Sequence, residues 1–195
     1  MPLIHLARHG HHDEVGRVLS GRSDIALSVA GTREAQELAG LLAGTQLASI
    51  HSSPRRRTME TAEAVAMRKE LAILPAPELD EIDFGAFTGR TFGELEDDVA
   101  WGRWNAERAT FRCPGGETMK DVTDRACRFI FSLAARDEPA LCVTHCDVIR
   151  AVVAHVLGLA TDRIFMIDCD PASLTTLSIE GGAVRLVTLN QRAGL

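Results

Sequence analysis

Short β-rich runs alternate with stretches of helical period along this chain, and that alternation restricts the fold more than any other feature. The runs 2–8, 47–52, 71–75 and 140–145 read as strands, and 28–43, 54–69, 91–105, 117–135 and 147–157 read as helices. Strands joined by helix-length connections pair in parallel, because only a crossover brings the chain back to the same edge of a sheet. The last two runs, 173–180 and 183–189, are split by Gly181-Gly182 and read as a hairpin. The expected architecture is α/β: a mostly parallel sheet between two helical layers, a three-layer α/β/α sandwich. The 195 residues suit one domain, 1–195. A chain of this length buries roughly 70% of its unfolded surface without staples.

Local signals support the helices. Ser28 is placed to cap 28–43, with Ala30, Leu38, Leu41 and Leu42 as its apolar contacts and Gly44 as its stop. In 117–135, Val122, Ala126, Phe129, Ile130 and Leu133 recur at helical spacing. The segment 80–116 fits the alternation least. It holds glycines, Trp101, Trp104 and many charges, and reads as an insertion or lid over the strand ends, where such segments shape binding sites.

Composition narrows the classes of partner. The net charge of −6 argues against a general nucleic-acid binder, and no stretch approaches a membrane span. The first apolar run is short, carries His5 and ends in charge, unlike a signal peptide. Five cysteines (Cys113, Cys127, Cys142, Cys146, Cys169) form no CxxC pair, so a reduced, cytoplasmic protein is expected.

Chemistry-bearing residues gather where strands end. The first strand ends on Arg8-His9-Gly10, and Leu141-Cys142-Val143-Thr144 ends on His145. In open α/β sheets ligands bind beyond the carboxyl ends of the strands. Arginine there suits phosphate, and histidine there serves as nucleophile or proton shuttle. After the second strand, Ser53-Pro54 resembles a helix start, with Ser53 as cap and Pro54 in the first turn. Arg55, Arg56 and Arg57 then fall at the positive end of the helix dipole, costing a few tenths of a kcal/mol each unless an anion is bound. Leu79-Asp80-Glu81-Ile82-Asp83-Phe84-Gly85 places carboxylates among apolar neighbours, where a raised pKa suits a proton donor.

Taken together, these motifs resemble the histidine phosphatase superfamily, in its phosphoglycerate-mutase-like branch (branch 1). The matching pieces are Arg8-His9-Gly10, Ser53-Pro54-x-x-Arg57-x-x-x-Thr61-Ala62, Glu81-x-Asp83-Phe84-Gly85-x-Phe87-x-Gly89 and Thr144-His145-x-x-Val148-Ile149-Arg150. Gly21-x-x-Asp24-x-x-Leu27-Ser28-x-x-Gly31 and Pro114-Gly115-Gly116-Glu117-Thr118 match more weakly. The resemblance implies hydrolysis of a small phosphomonoester through a phosphohistidine on His9. Arg8, Arg57 and His145 would hold the phosphoryl oxygens, with Gly21 and Arg22 as further substrate- or phosphate-binding residues. Glu81 would be the general acid, then the base. No metal or cofactor is implied.

The chain departs from the family pattern in two places. After Arg-His-Gly the family usually has Glu followed by Thr or Ser, where this chain has His11-His12-Asp13-Glu14. After the second histidine it usually has Gly-Gly, where this chain has Cys146-Asp147. A side chain at 146 would strain the backbone if that position needs a positive φ. Asp147 would add negative charge near the phosphate unless it caps the following helix, the preferred reading. Mutase activity is the nearest alternative, but no Glu-Arg-Arg-Tyr-Gly run occurs and the chain has no tyrosine. The Trp104…Pro114-Gly115-Gly116-Glu117 arrangement is more similar to small phosphatases of the α-ribazole type. A metal-dependent hydrolase built on His5, His9, His11, His12 and Asp13 lacks a zinc spacing. A phosphoryl-binding protein with little turnover is the third alternative.

Overall fold

A computed structural model describes residues 3–194. Its six-stranded sheet has the order β3-β2-β4-β1-β5-β6. The strands are β1 (Leu3–Arg8), β2 (Ser49–Ser52), β3 (Ile73–Pro75), β4 (Ala140–Thr144), β5 (Leu174–Glu180) and β6 (Ala183–Gln191). β1 pairs parallel with β4, and β2 pairs parallel with β3 and β4. Only β5 runs against the rest, pairing antiparallel with β1 and β6. Gly181 and Gly182 both adopt positive φ in the β5–β6 turn, the conformation a two-residue hairpin favours. Pro2, included in the sequence-based first strand, lies outside the described residues.

Side-chain alternation divides the core into two layers. Ile4, Leu6 and Cys142 point to one face, where they pack with Val122, Ala126 and Ile130 of α5 (Met119–Ala134) and Ile149 and Val152 of α6 (Cys146–Leu157). Ala7, Ile50, Leu141 and Val143 point to the other, against Ala35 and Leu38 of α1 (Val29–Leu41) and Ala62 and Val65 of α2 (Arg56–Lys69). A strand buried on both faces is apolar almost throughout, which is why β4 reads as an unbroken run.

Three local readings change. The stretch 91–105 is two helices, α3 (Phe92–Glu96) and α4 (Val99–Ala106), because Asp98 accepts from the Ala100 and Trp101 amides and starts a new helix. α1 ends at Leu41, short of Gly44. α2 starts at Arg56 with Arg55 as its N-cap residue, and no side chain caps it. The Ser53 hydroxyl, read as that cap, is used elsewhere.

The turn after β1 is fixed by one side-chain acceptor and by close backbone contact. His11 N donates to Glu34 Oε2 (2.7 Å), and Ser28 N donates to His11 O (2.9 Å). Gly31 sits so close to His11 that a Cβ at Gly31 would overlap the His11 carbonyl. Gly31→Ala is therefore expected to destabilise the protein by about 1–3 kcal/mol in urea denaturation. Gly44→Ala, which meets nothing, should leave the midpoint within about 0.5 kcal/mol.

Candidate active site

Parallel pairing of β1 with β4 puts their last residues, Arg8 and Thr144, in register. His9 N donates to Thr144 O (3.0 Å), so His9 and His145 leave the sheet side by side with ring centroids 5.2 Å apart. β2 ends one strand over, and Ser53 N donates to Val143 O (3.0 Å). The three strand ends open onto a cavity of about 360 Å³. Arg8, His9, His12, Gly21, Arg57 and Glu81 line it, with Phe84, Trp101, Trp104, Arg108, Asp147 and Phe165 further along its wall.

His9 is 3% exposed. Its Nδ1 lies 2.8 Å from Gly10 O, an acceptor, so Nδ1 carries the hydrogen and Nε2 keeps a free lone pair. Burial, then the Arg57 and Arg8 charges, hold its pKa well below 6.5, so the ring is neutral at pH 7.

Arg57 is 1% exposed. It donates to Ser23 O (2.9 Å), Gly21 O (2.5 Å) and His145 Nδ1 (3.1 Å). Arg8 donates to Cys169 O (2.6 Å). Arg8 Nε and Arg57 Nε are buried donors without partners among the described residues. Gly21 contributes its carbonyl, which fixes the Arg57 fork.

His145 is fully buried and linked outward. Its Nδ1 accepts from Arg57, so Nε2 carries the hydrogen and donates to Ser53 Oγ (2.9 Å), which donates to Asp80 Oδ1 (3.1 Å). Burial, then the Arg57 charge, lowers the His145 pKa well below 6.5. The Nδ1 edge faces Arg57 and also Glu81 Oε2, 4.0 Å away.

Glu81 is pushed up to about 8, first by burial and then by the Asp147 charge. Its backbone carbonyl accepts from Arg22 Nε (2.9 Å) and Arg125 Nη2 (3.2 Å). Arg22 also contacts Glu117 (2.9 Å) and Asp83 (3.5 Å) and does not line the cavity. The structure thus brings Arg8, His9, Gly21, Arg57, Glu81 and His145 together and puts Arg22 in the carboxylate cluster behind Glu81.

The misplaced arginines of α2 are each accounted for. Arg55 pairs with Asp80 (2.9 Å), Arg56 pairs with Glu60 (2.8 Å), and Arg57 enters the site. The two family departures after His145 are also explained. Cys146 is the first residue of α6 and has no positive φ, so its side chain costs no backbone strain. Asp147 is not the cap of α6: the N-cap residue is His145, without a side-chain cap bond. Asp147 instead pairs with Arg150 (3.4 Å) and faces the cavity.

The histidines and Asp13 proposed as a metal set separate: His5 bonds Thr176 (3.0 Å) and His11 bonds Ser28 (2.9 Å). No group of three or more His, Cys, Asp or Glu able to hold a metal ion occurs among the described residues. Two features escaped the sequence. The Ser53–Asp80 link was hidden because Ser53 scores as a helix cap. Arg108, whose guanidinium lies 4.1 Å from the Trp104 ring centroid and 4.2 Å from that of Phe165, leaves no periodic signal.

A family model described as the histidine phosphatase superfamily (branch 1) matches residues 4–192. The chain belongs to this superfamily. This histidine phosphatase is 29% identical over 191 residues to phosphoserine phosphatase 1 of Hydrogenobacter thermophilus, covering 95% of this chain and 90% of the relative. Among solved structures it is similar to a mycobacterial glucosyl-3-phosphoglycerate phosphatase (TM-score 0.86, 29% identity, 97% of this chain and 98% of that one). It is also similar to the α-ribazole phosphatase of Shigella flexneri (TM-score 0.88, 26% identity, 98% and 97%).

Removing the Ser53 hydroxyl would strand a buried imidazole N–H. Ser53→Ala is expected to lower the unfolding free energy by about 1–3 kcal/mol in urea denaturation. Ser132→Ala, which removes an exposed hydroxyl, should change it by less than about 0.5 kcal/mol.

Proposed function

We propose that this histidine phosphatase hydrolyses a small phosphomonoester in two steps, with His9 as the nucleophile. The observation that carries the reading is the state of His9. It is a neutral imidazole whose Nδ1 hydrogen is held by Gly10 O, leaving the Nε2 lone pair in a cavity that also holds Arg8, Arg57 and Glu81.

In the first step Nε2 forms the N–P bond as the bond from phosphorus to the leaving oxygen breaks. The Glu81 carboxyl, protonated at neutral pH with its pKa near 8, gives that oxygen its proton and releases the alcohol. Arg8 and Arg57, which both line the cavity, supply positive charge and guanidinium donors to the phosphoryl oxygens. His145, fully buried and outside the cavity lining, presents an Nδ1 lone pair to Arg57 and so acts by holding that guanidinium rather than by donating to the phosphoryl oxygens. In the second step the Glu81 carboxylate takes a proton from water as that water attacks phosphorus. Inorganic phosphate leaves and the His9 lone pair is restored. Arg22 acts through the loop, holding the Glu81 backbone in place.

The cavity of about 360 Å³ suits a small substrate. Phe84, Trp101 and Trp104 offer apolar surface to the leaving group. The lid role of 80–116 rests on Phe84, Phe92, Trp101, Trp104 and Arg108 reaching this cavity from that segment. No helix among the described residues is long and apolar enough to cross a membrane. All five cysteines are unpaired, which supports action in a reducing, cytoplasmic setting.

Chelator-treated protein should hydrolyse an aryl phosphate, and acid-labile label should be trapped on His9 during turnover. His9→Ala should abolish both hydrolysis and trapping, and a His9→Ala protein as fast as wild type overturns the assignment. Arg57→Ala should cost about 10²–10³-fold in kcat/KM.

The Glu81 assignment carries its own pH test. The first step needs protonated Glu81, so kcat/KM should fall as pH rises through about 8. Asp147 helps to hold that pKa up, so Asp147→Asn should move the alkaline limb to lower pH. A limb that stays in place or moves upward excludes Glu81 as the group responsible.

A further inference from the structure

His12 stands where the chain first leaves its family pattern, and the reaction described above leaves it without a task. Its ring centroid lies 5.2 Å from that of His9, the same separation as between His9 and His145. His12 is 4% exposed and lines the cavity with Arg8, Arg57 and Glu81. Its Nδ1 is sealed from solvent and has no hydrogen-bond partner among the described residues. His5, His9, His11, His51 and His145, by contrast, each hold a polar partner.

Burial, then the Arg57 and Arg8 charges, lowers its pKa to about 4, so the ring is neutral at working pH. A neutral imidazole carries one N–H and one lone pair. With Nδ1 sealed from solvent, only the Nε2 edge can meet a ligand in the cavity, and the tautomer with its hydrogen on Nε2 makes His12 a donor there. A neutral donor adds a hydrogen bond beside the nucleophile without adding another cation.

We propose that His12 is a further catalytic residue whose Nε2–H donates to a phosphoryl oxygen as phosphorus passes to and from His9. The inference rests on the proposed hydrolysis. A donor aimed at charge that grows in the transition state is felt mainly in kcat.

The test compares His12→Phe, which keeps a ring but has no donor, with His12→Gln, whose amide can place an N–H near the former Nε2. His12→Phe should lower kcat/KM for an aryl phosphate by about 10²-fold, mostly in kcat. Inhibition by orthovanadate, which mimics five-coordinate phosphorus, should weaken in parallel. His12→Gln should recover most of both, with thermal midpoints confirming that the variants are folded. If His12→Phe does not fold, His12→Asn replaces it, because its shorter amide falls short of the Nε2 position.

A folded His12→Phe with wild-type kcat/KM and vanadate inhibition overturns the proposal. So does a His12→Gln as impaired as the donorless variant, since the loss would then be one of packing. A wild-type protein inert toward every phosphomonoester would instead overturn the hydrolysis itself. An active wild type with a dead His9→Ala and an indifferent His12→Phe removes only the role of His12.

Discussion

The site depends first on the register of β1 against β4. Arg8 lies opposite Thr144, and the next amide, His9 N, bonds Thr144 O. A slip of one residue along β1 would turn its side chains to the opposite faces of the sheet. Ile4 and Leu6 would then leave the layer of α5 and α6, and Ala7 the layer of α1 and α2. The apolar pattern that fixes the core therefore also fixes where the two imidazoles emerge. Stability and chemistry are specified here by the same few residues.

Desolvation then sets the protonation states. Burial disfavours charge, so His9 and His145 are neutral bases and Glu81 is a neutral acid. Arg57 keeps its charge because guanidinium remains protonated even where burial lowers its pKa. One physical effect thus yields opposite outcomes by residue type: imidazoles with a free lone pair, a carboxyl still holding its proton, and guanidiniums that stay charged. In solvent His9 would be partly protonated near its usual pKa of 6.5, and Glu81 would already have lost its proton.

Much of this was legible in the sequence, for identifiable reasons. The strand–helix alternation specified the sheet because parallel strands need crossovers, and the runs of β1 and β4 are apolar because both faces are covered. His9 and His145 could be placed together because both directly follow parallel strands. The readings that failed involved residues whose local preference conflicts with a distant partner. Ser53 is a good cap by local rules, yet its hydroxyl serves His145 and Asp80, which lie 92 and 27 positions away. Asp147 has the chemistry of a cap, but His145 already occupies that position. Arg22 carries the charge of a phosphate ligand, but Asp83 and Glu117 compete for it, and that competition exists only after folding.

The residues replacing the usual glycines after His145 alter the electrostatics of the site more than its shape. Cys146 takes ordinary helical backbone, with Sγ 3.7 Å from Cys169 O, so the chain leaves His145 without needing a glycine. Asp147 is the larger change. A carboxylate beside a phosphate site opposes binding of a dianion, yet the same charge helps keep Glu81 protonated, and Arg150 partly offsets it. Arg108 stands on the same wall, and the Asp147 charge favours its protonated form while burial lowers its pKa to about 10. Asp147 therefore serves as counterion to the wall arginines and as a support for the proton on Glu81. A glycine could supply neither.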